Sequence, residues 1–330
     1  MMKEETVSSN KALQDACEQS ADDAERKDEK KKKEEDHNPN SLLFIALVQC
    51  PLRRDDQSPA QACQQVIAMM TDFKLRHPEV SLFVLPELAP IGYSEHTFRQ
   101  FLLPKKEESS NHFHEDILAQ MKQFCNSHDV GVLFGLPTYD ENTERRYISH
   151  MYIQAEASPL HHQSSIPRYY HKRRLCDYGD CAETRFFSPG DSLMVIEVKG
   201  WKFGIILCAD MRDPFLCSSY VQHHNVDALL QPAAFSRDVS FASWKSFREI
   251  RAIENGIYFC GINYAGENFG NTSVNPPWID DVNDNHKPTI MGTEEGCLLV
   301  KLNRRVLESA RSNFPFYRNI RAMHEQEKAV

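Results

Sequence analysis

The sequence has no apolar run long enough to cross a membrane, and its N-terminus lacks the hydrophobic core of a secretory signal. The closing Lys328-Ala329-Val330 is not a peroxisome-directing tripeptide. Positive charge is not in excess either. The 38 Lys and Arg stand against 47 Asp and Glu, a formal net charge of -9, which leaves no basic footprint for nucleic acid or an anionic lipid surface. No Cys-x-x-Cys pair occurs among the 10 cysteines. Cys176 and Cys181 are the closest two, and no nearby pair completes a zinc pattern. No repeat recurs at a fixed period. Many unclustered cysteines in a long chain point to a reducing compartment, so a cytosolic protein without metal is expected.

What is present suits a globular enzyme. The 330 residues, 41% of them hydrophobic, suffice for one large α/β domain or two smaller ones. Residues 1–40 differ in composition: Asp15 to Asp36 is almost wholly charged and polar and includes Lys30-Lys31-Lys32-Lys33-Glu34-Glu35-Asp36. Such a stretch buries too little to fold, and its interleaved acids argue for a solvated, disordered tail. The folded domain is expected over 41–330. Apolar runs at Leu42 to Val48, Val80 to Leu85, Val130 to Phe134, Ile148 to Ile153, Leu193 to Val198, Ile257 to Ile262 and Cys297 to Leu302 read as buried strands. Helical spacing appears over Pro59 to His77, His112 to His128 and Ser243 to Asn255, the last ended by Gly256. Strands alternating with helices imply an α/β core with the helices outside. Asn271 to Pro288 is rich in turn residues and reads as a long surface loop.

The stretch Trp201 to Pro214 carries the strongest chemical signal. Its apolar run ends at Cys208, Asp213-Pro214 then marks a helix start, and a second apolar run follows from Val226 to Pro232. A cysteine at a strand-to-helix elbow between two parallel strands is lifted out of the sheet, and a helix N-terminus beside it would favour a thiolate. A lone reduced cysteine is more often a small core hydrophobe, so other residues must decide. Glu87, in Leu85-Pro86-Glu87, lies just past a buried strand, where α/β sheets place ligands. Lys172 lies in the basic, tyrosine-flanked run Arg168 to Leu175, upstream of an aromatic segment, Glu183 to Phe187, and a Pro-Gly turn. A Cys–His dyad using His223 or His224 is the competing arrangement, although paired histidines at a helix end suit a solvated terminus better.

With Glu87, Lys172 and Cys208 in that order, the chain resembles the nitrilase superfamily of carbon–nitrogen hydrolases from about Leu42 to Arg321. The supporting motifs are Leu85-Pro86-Glu87, Tyr170-His171-Lys172, Phe187-Ser188-Pro189-Gly190-Asp191, Cys208-Ala209-Asp210-Met211-Arg212 and Arg251-Ala252-Ile253-Glu254-Asn255. Gly292-Thr293-Glu294-Glu295-Gly296 and Phe314-Pro315-Phe316-Tyr317-Arg318 close the series. Ala209 departs from the pattern, since the family usually has an aromatic after the nucleophile, and Ala-Asp argues against nitrile chemistry. The resemblance implies a four-layer α-β-β-α sandwich, commonly paired into a homodimer or higher homo-oligomer. It implies Cys208 as nucleophile, Glu87 as general base, and Lys172 with the Ala209 N–H as oxyanion stabilisers. It also implies a second, supporting glutamate, matched best by Glu141 with Glu144 as the alternative, and no metal or organic cofactor. The implied reaction is hydrolysis of a small linear amide (ω-amidase-like). Hydrolysis of an N-carbamoyl amine or β-ureido acid is the alternative, and a non-catalytic scaffold on the same fold a third reading. An acidic substrate would need a cation, which Arg173, Arg174, Arg185 or Arg212 could supply.

Overall fold

Chain segments apolar at every position, not at alternate ones, make strands buried on both faces, and the computed structural model is built from such strands. It describes residues 41–102, 112–156, 168–178 and 181–314. The charged stretch 1–40 and the motif residues 315–318 lie outside them.

The first sheet comprises β1 (Leu42–Gln49), β2 (Leu82–Val84), β3 (Gly131–Asp140), β4 (Arg145–Gln154), β5 (Arg168–His171) and β12 (Gly296–Asn303), in the order β12-β1-β2-β3-β4-β5. The second comprises β6 (Val195–Val198), β7 (Trp201–Ile205), β8 (Ala228–Pro232), β9 (Tyr258–Ile262), β10 (Ser273–Asn275) and β11 (Thr289–Ile290), in the order β11-β10-β9-β8-β7-β6. Each sheet has a parallel centre, β1-β2-β3 in one and β7-β8-β9 in the other, with β4, β5, β6, β10 and β11 added antiparallel outside. Parallel neighbours need crossovers, which the helices provide.

Strand periodicity sorts the side chains into layers. Leu43, Ile45 and Leu47 of β1 point to the inter-sheet core, where they join Phe203, Ile205, Leu230 and Ile262 of the other sheet. Ala46 and Val48 point outward, to Val66, Met70 and Phe73 of α1 (Pro59–Arg76) and to Ile117, Met121 and Phe124 of α3 (His112–His128). A short helix, α2 (Glu95–Leu102), precedes α3 in the chain. On the opposite outer face, Leu229 and Phe259 meet Leu216, Tyr220 and Val221 of α4 (Pro214–His224) and Trp244 and Ala252 of α5 (Phe241–Asn255). The result is an α-β-β-α sandwich, as the sequence resemblance implied. Truncating one of these fully buried aliphatic side chains to Ala would cost about 2–5 kcal/mol.

Helix ends follow local chemistry. Ser58 and Gln61 form a reciprocal capping box before Pro59, and Asp213 accepts from the N–H groups of Phe215 and Leu216 ahead of Pro214. Gly256 takes the left-handed conformation (φ 57°) that ends α5. The turn-rich stretch from Asn271 is less of a surface loop than its composition suggests. Thr272, Ser273 and Asn275 are buried, and β10 pairs antiparallel with β9. Here the polar side chains serve the interior: Thr272 accepts from the Asn263 N–H, and the Asn275 amide donates to the Phe259 carbonyl.

Candidate active site

Glu87, Lys172 and Cys208 each lie just beyond the C-terminal end of a strand (β2, β5 and β7), and the fold brings the three to one place between the sheets. Glu87 crosses the interface. Its N–H donates to Ala233 O at 3.4 Å, and its carbonyl accepts the Tyr264 hydroxyl at 2.6 Å. Leu88, directly after it, holds φ at 55°, a rare conformation for a branched residue.

Lys172 is held from both sides. Its N–H donates to Ile148 O in β4, and its carbonyl accepts from Gly190 N–H, each at 2.8 Å. A Cβ on Gly190 would stand 2.4 Å from the His171 carbonyl oxygen, so only glycine lets the Pro189-Gly190 turn close over this strand end. The Lys172 ammonium is fully buried, 2.9 Å from Glu87 Oε1 and 2.6 Å from Glu183 Oε1. Burial opposes its charge, but Glu183 and then Glu87 outweigh that and hold it well above its ordinary range.

The glutamate that the fold brings to Lys172 besides Glu87 is Glu183, and neither Glu141 nor Glu144 is placed there. Those two sit exposed in the turn joining β3 to β4. That turn was the only acidic cluster close before Tyr147, but a hairpin tip points away from the sheet core. Glu183 opens a 3-10 turn (Glu183–Arg185) and is fully buried. Its Oε1 accepts from Lys172 and the Tyr93 hydroxyl, and its Oε2 accepts the Cys176 N–H at 2.7 Å. The usable sequence signal was the aromatic segment Glu183 to Phe187 itself. Phe187, whose N–H donates to the Glu183 carbonyl at 2.8 Å, packs edge-on against Phe98.

Cys208 opens a 3-10 turn (Cys208–Arg212) with φ at 41° and is 8% exposed. A non-glycine residue in that region costs about 1–3 kcal/mol and needs its surroundings to hold it. Gln231 does so from β8. Its Nε2 donates to the Cys208 carbonyl at 3.0 Å, while its Oε1 accepts the Trp244 indole N–H at 3.0 Å. Arg251 Nε donates to Met211 O at 2.9 Å. Asp210, fully buried, accepts from Leu207 N (2.8 Å), Arg174 N (2.7 Å), Arg173 N (3.2 Å) and the Tyr170 hydroxyl (2.7 Å), and thereby ties the elbow to the Lys172 strand. Asp210 and Arg251 stood in motifs of the family resemblance without an assigned role, and Gln231 carried no signal, because these roles depend on contacts far along the chain.

The electrostatics of Cys208 reverse the thiolate expectation. Burial raises its thiol well above the ordinary range, Lys172 lowers it, and Glu87 and Glu183 raise it further. The helix N-terminus does not compensate. α4 starts only at Pro214, and its first N–H groups are taken by Asp213. Burial pushes the Glu87 carboxyl up to about 7, with Lys172 pulling it down and Glu183 pushing it up. The group thus titrates near neutrality, where a general base works best. A Cys–His dyad is not formed by the expected pair, since His223 and His224 are exposed at the end of α4. His150, buried near the Glu87 loop, is driven down to about 3 by desolvation and is neutral at neutral pH.

A cavity of about 880 Å³ has Tyr93, Phe98, Cys181, Arg185, Ala234 and Arg237 among its walls; none of the trio lines it, and it connects to them through the Tyr93 hydroxyl, which donates to Glu183. Of the arginines considered from sequence, Arg185 lines this cavity and Arg174 pairs with Asp213. The Arg173 N–H serves Asp210, and Arg212 lies over Tyr178, Phe235 and Phe247.

The pattern of the carbon-nitrogen hydrolase family matches residues 44–311 of this chain. The chain belongs to that family. The hydrolase is 28% identical over 146 residues to the omega-amidase NIT2 of Mus musculus, an alignment covering 42% of this chain and 50% of that protein. It thus spans about half the length of the NIT2 relatives it matches. It is 24% identical over 269 residues to the deaminated glutathione amidase of Dictyostelium discoideum, covering 74% of this chain and 85% of that one. Among solved structures, the Saccharomyces cerevisiae Nit3 protein of the nitrilase superfamily superposes with a TM-score of 0.67 at 21% identity, covering 83% of this chain and 95% of that one. A carbon-nitrogen hydrolase from Helicobacter pylori gives 0.68 at 19% identity, covering 84% and 95%. At such identities the superpositions establish the fold of the hydrolase. By family it is a carbon-nitrogen hydrolase, and the amidase names belong to its relatives.

Proposed function

We propose that the hydrolase cleaves the C–N bond of a small linear amide through a thioester on Cys208, releasing ammonia. The observation that carries this reading is the buried Glu87–Lys172–Glu183 chain beside a strained cysteine. The thiol is protonated at rest, so Glu87 must accept its proton as sulfur attacks the amide carbon. Its Oε2 has no hydrogen-bond partner among the described residues and is suited to that proton. The new S–C bond places negative charge on the carbonyl oxygen, which the Lys172 ammonium and the Ala209 N–H stabilise. Glu87 then returns the proton to the departing nitrogen, the C–N bond breaks, and ammonia leaves. Water attacks the thioester with Glu87 again as base, which frees the acid and restores the thiol. Glu183 holds Lys172 in its charged form, a role distinct from that of Glu87. No step in this cycle calls on a metal or organic cofactor.

The substrate in this reading is a short carboxylated amide of the ω-amidase kind, a class supported by the names of the relatives. The N-carbamoyl reading uses the same residues and no contact favours it. The reading further places the enzyme in the cytosol as a homodimer or higher homo-oligomer, with Phe215 of α4 and Ile250 of α5 as exposed apolar residues for the second copy, which size-exclusion chromatography with light scattering checks. The functional test is ammonia release from succinamate, glutaramate, N-carbamoyl-β-alanine, N-carbamoylputrescine and a simple nitrile, with Cys208→Ala as control. Turnover of the first two alone supports the reading. Turnover of the carbamoyl compounds selects the alternative, and activity that survives Cys208→Ala overturns the mechanism.

A further inference from the structure

The cavity lined by Tyr93 and Arg237 is charged, and its charges are unequally compensated. On one wall the Tyr93 hydroxyl donates to Glu183, so this side touches the group that holds Lys172. Nearby, Glu95 is paired with Arg99 at 2.5 Å and faces Arg185 at 3.8 Å, which balances that corner. Another part of the lining is the segment after β8, with Ala234, Ser236, Arg237 and Asp238. Asp238 turns its Oδ1 to the N–H and the hydroxyl of Ser240, both at 2.7 Å, and these partners are neutral.

Arg237 differs from the rest. Its backbone N–H donates to Asn268 O at 2.8 Å, its Nε to Phe269 O at 2.8 Å and its Nη2 to Asn271 Oδ1 at 3.1 Å. The guanidinium also lies over the Phe241 ring, 4.5 Å from its centre. All of these partners are neutral, and among the described residues no carboxylate is within salt-bridge distance of it. The side chain is exposed but oriented by neutral groups, so its charge meets no acid, and Nη1 is left uncommitted by these contacts. A guanidinium held this way loses little freedom on meeting an anion, and its planar fork suits a carboxylate. None of the four arginines singled out from the sequence has this combination. Arg174 and Arg185 face acids, Arg212 is packed among rings, and Arg173 does not line the cavity.

We propose that Arg237 is the anion anchor of the substrate cavity and selects amides whose far end carries a carboxylate. The proposal rests on the amidase reading above and deepens it. The reacting amide lies against Cys208 and Lys172 while the carboxylate reaches across the cavity to the free edge of Arg237. Arg185, already opposed by Glu95, plays the lesser part. Arg237 makes no contact with the trio, so it acts on which substrate is held and not on the bond-breaking step.

The test compares kcat/KM for succinamate and for butyramide in the wild type, Arg237→Gln, Arg237→Lys and Arg185→Gln. A charge-assisted hydrogen bond lost in a partly wet site lowers the succinamate-to-butyramide selectivity about 10- to 100-fold in Arg237→Gln, chiefly through KM for succinamate. Arg237→Lys recovers part of the selectivity and Arg185→Gln changes it less than Arg237→Gln. A wild type that prefers butyramide, or an Arg237→Gln variant that loses both substrates equally, overturns the proposal while leaving the amidase reading intact. Succinamate binding to Cys208→Ala protein by calorimetry needs no turnover and separates the two ideas. Binding weakened at least tenfold by adding Arg237→Gln supports the anchor even if the reaction assignment fails, and unchanged binding refutes it.

Discussion

Replacing Glu183 with Gln tests whether the two glutamates share one field. At 2.9 and 2.6 Å from one ammonium nitrogen, the Glu87 and Glu183 oxygens lie no more than about 5.5 Å apart. At an effective dielectric constant near 20, two like charges at that separation repel by about 3 kcal/mol, or about two pH units. Glu183 therefore helps to hold Glu87 near 7. Removing its charge lowers the Glu87 pKa, because the ionised form of Glu87 no longer faces a second anion. The base is competent only when ionised, so kcat/KM in the wild type rises as pH passes through about 7. In Glu183→Gln that rise moves down by up to about two units. Peak activity also falls, because Lys172 loses its 2.6 Å partner and the amide cannot accept at both positions. It meets Lys172 and Tyr93 on one side and the Cys176 N–H on the other. A succinamate kcat/KM profile from pH 5 to 9 checks this. An acid limb that stays near 7, or moves up, refutes the shared-field argument.

Other perturbations have worked signs. The folded pKa of Glu87 is raised from 4.5 to about 7, so the native state binds more protons than the unfolded chain between those values, and this site destabilises the fold increasingly as pH rises through them. Glu87→Gln should accordingly melt higher than the wild type at pH 8 with a smaller gap at pH 5, though inactive; a gap independent of pH contradicts the assigned shift. Gln231→Leu leaves the Cys208 carbonyl and the Trp244 indole N–H unpaired, and alkylation of Cys208 by iodoacetamide together with kcat should change even where the thermal melt shows a loss of only about 1–3 kcal/mol. Unaltered kcat and alkylation would mean that the elbow does not depend on that amide. Gly190→Ala forces a Cβ to 2.4 Å from the His171 carbonyl, and the displaced turn should lower both the melting temperature and kcat. Wild-type values would show that the turn has slack.

Much of the fold could be read from the chain because buried parallel strands show themselves as unbroken apolar runs. β1, β3, β8 and β9 are of that kind, and the Asp213-Pro214 and Gly256 helix boundaries follow from capping chemistry. β5 was not legible. It is an edge strand spelled Arg-Tyr-Tyr-His whose first two residues are exposed, so it reads as a basic surface cluster. Within the site, Glu87 and Cys208 stood out by position after strands, and Lys172 by its order between them in the family motifs. Glu183 did not, because a carboxylate buried by aromatic neighbours looks in sequence like any loop acid. The thiolate expectation failed because it weighed a helix end that is already capped and omitted two buried carboxylates contributed from distant segments.

The central claim is an acyl-thioester on Cys208. Acid-quenched enzyme taken within the first turnovers of succinamate should gain the mass of one succinyl group, and peptide mapping should place it on the Cys208 peptide. Ammonia should appear no later than the adduct. An adduct on another residue, or ammonia released at the wild-type rate by Cys208→Ala, would contradict the account.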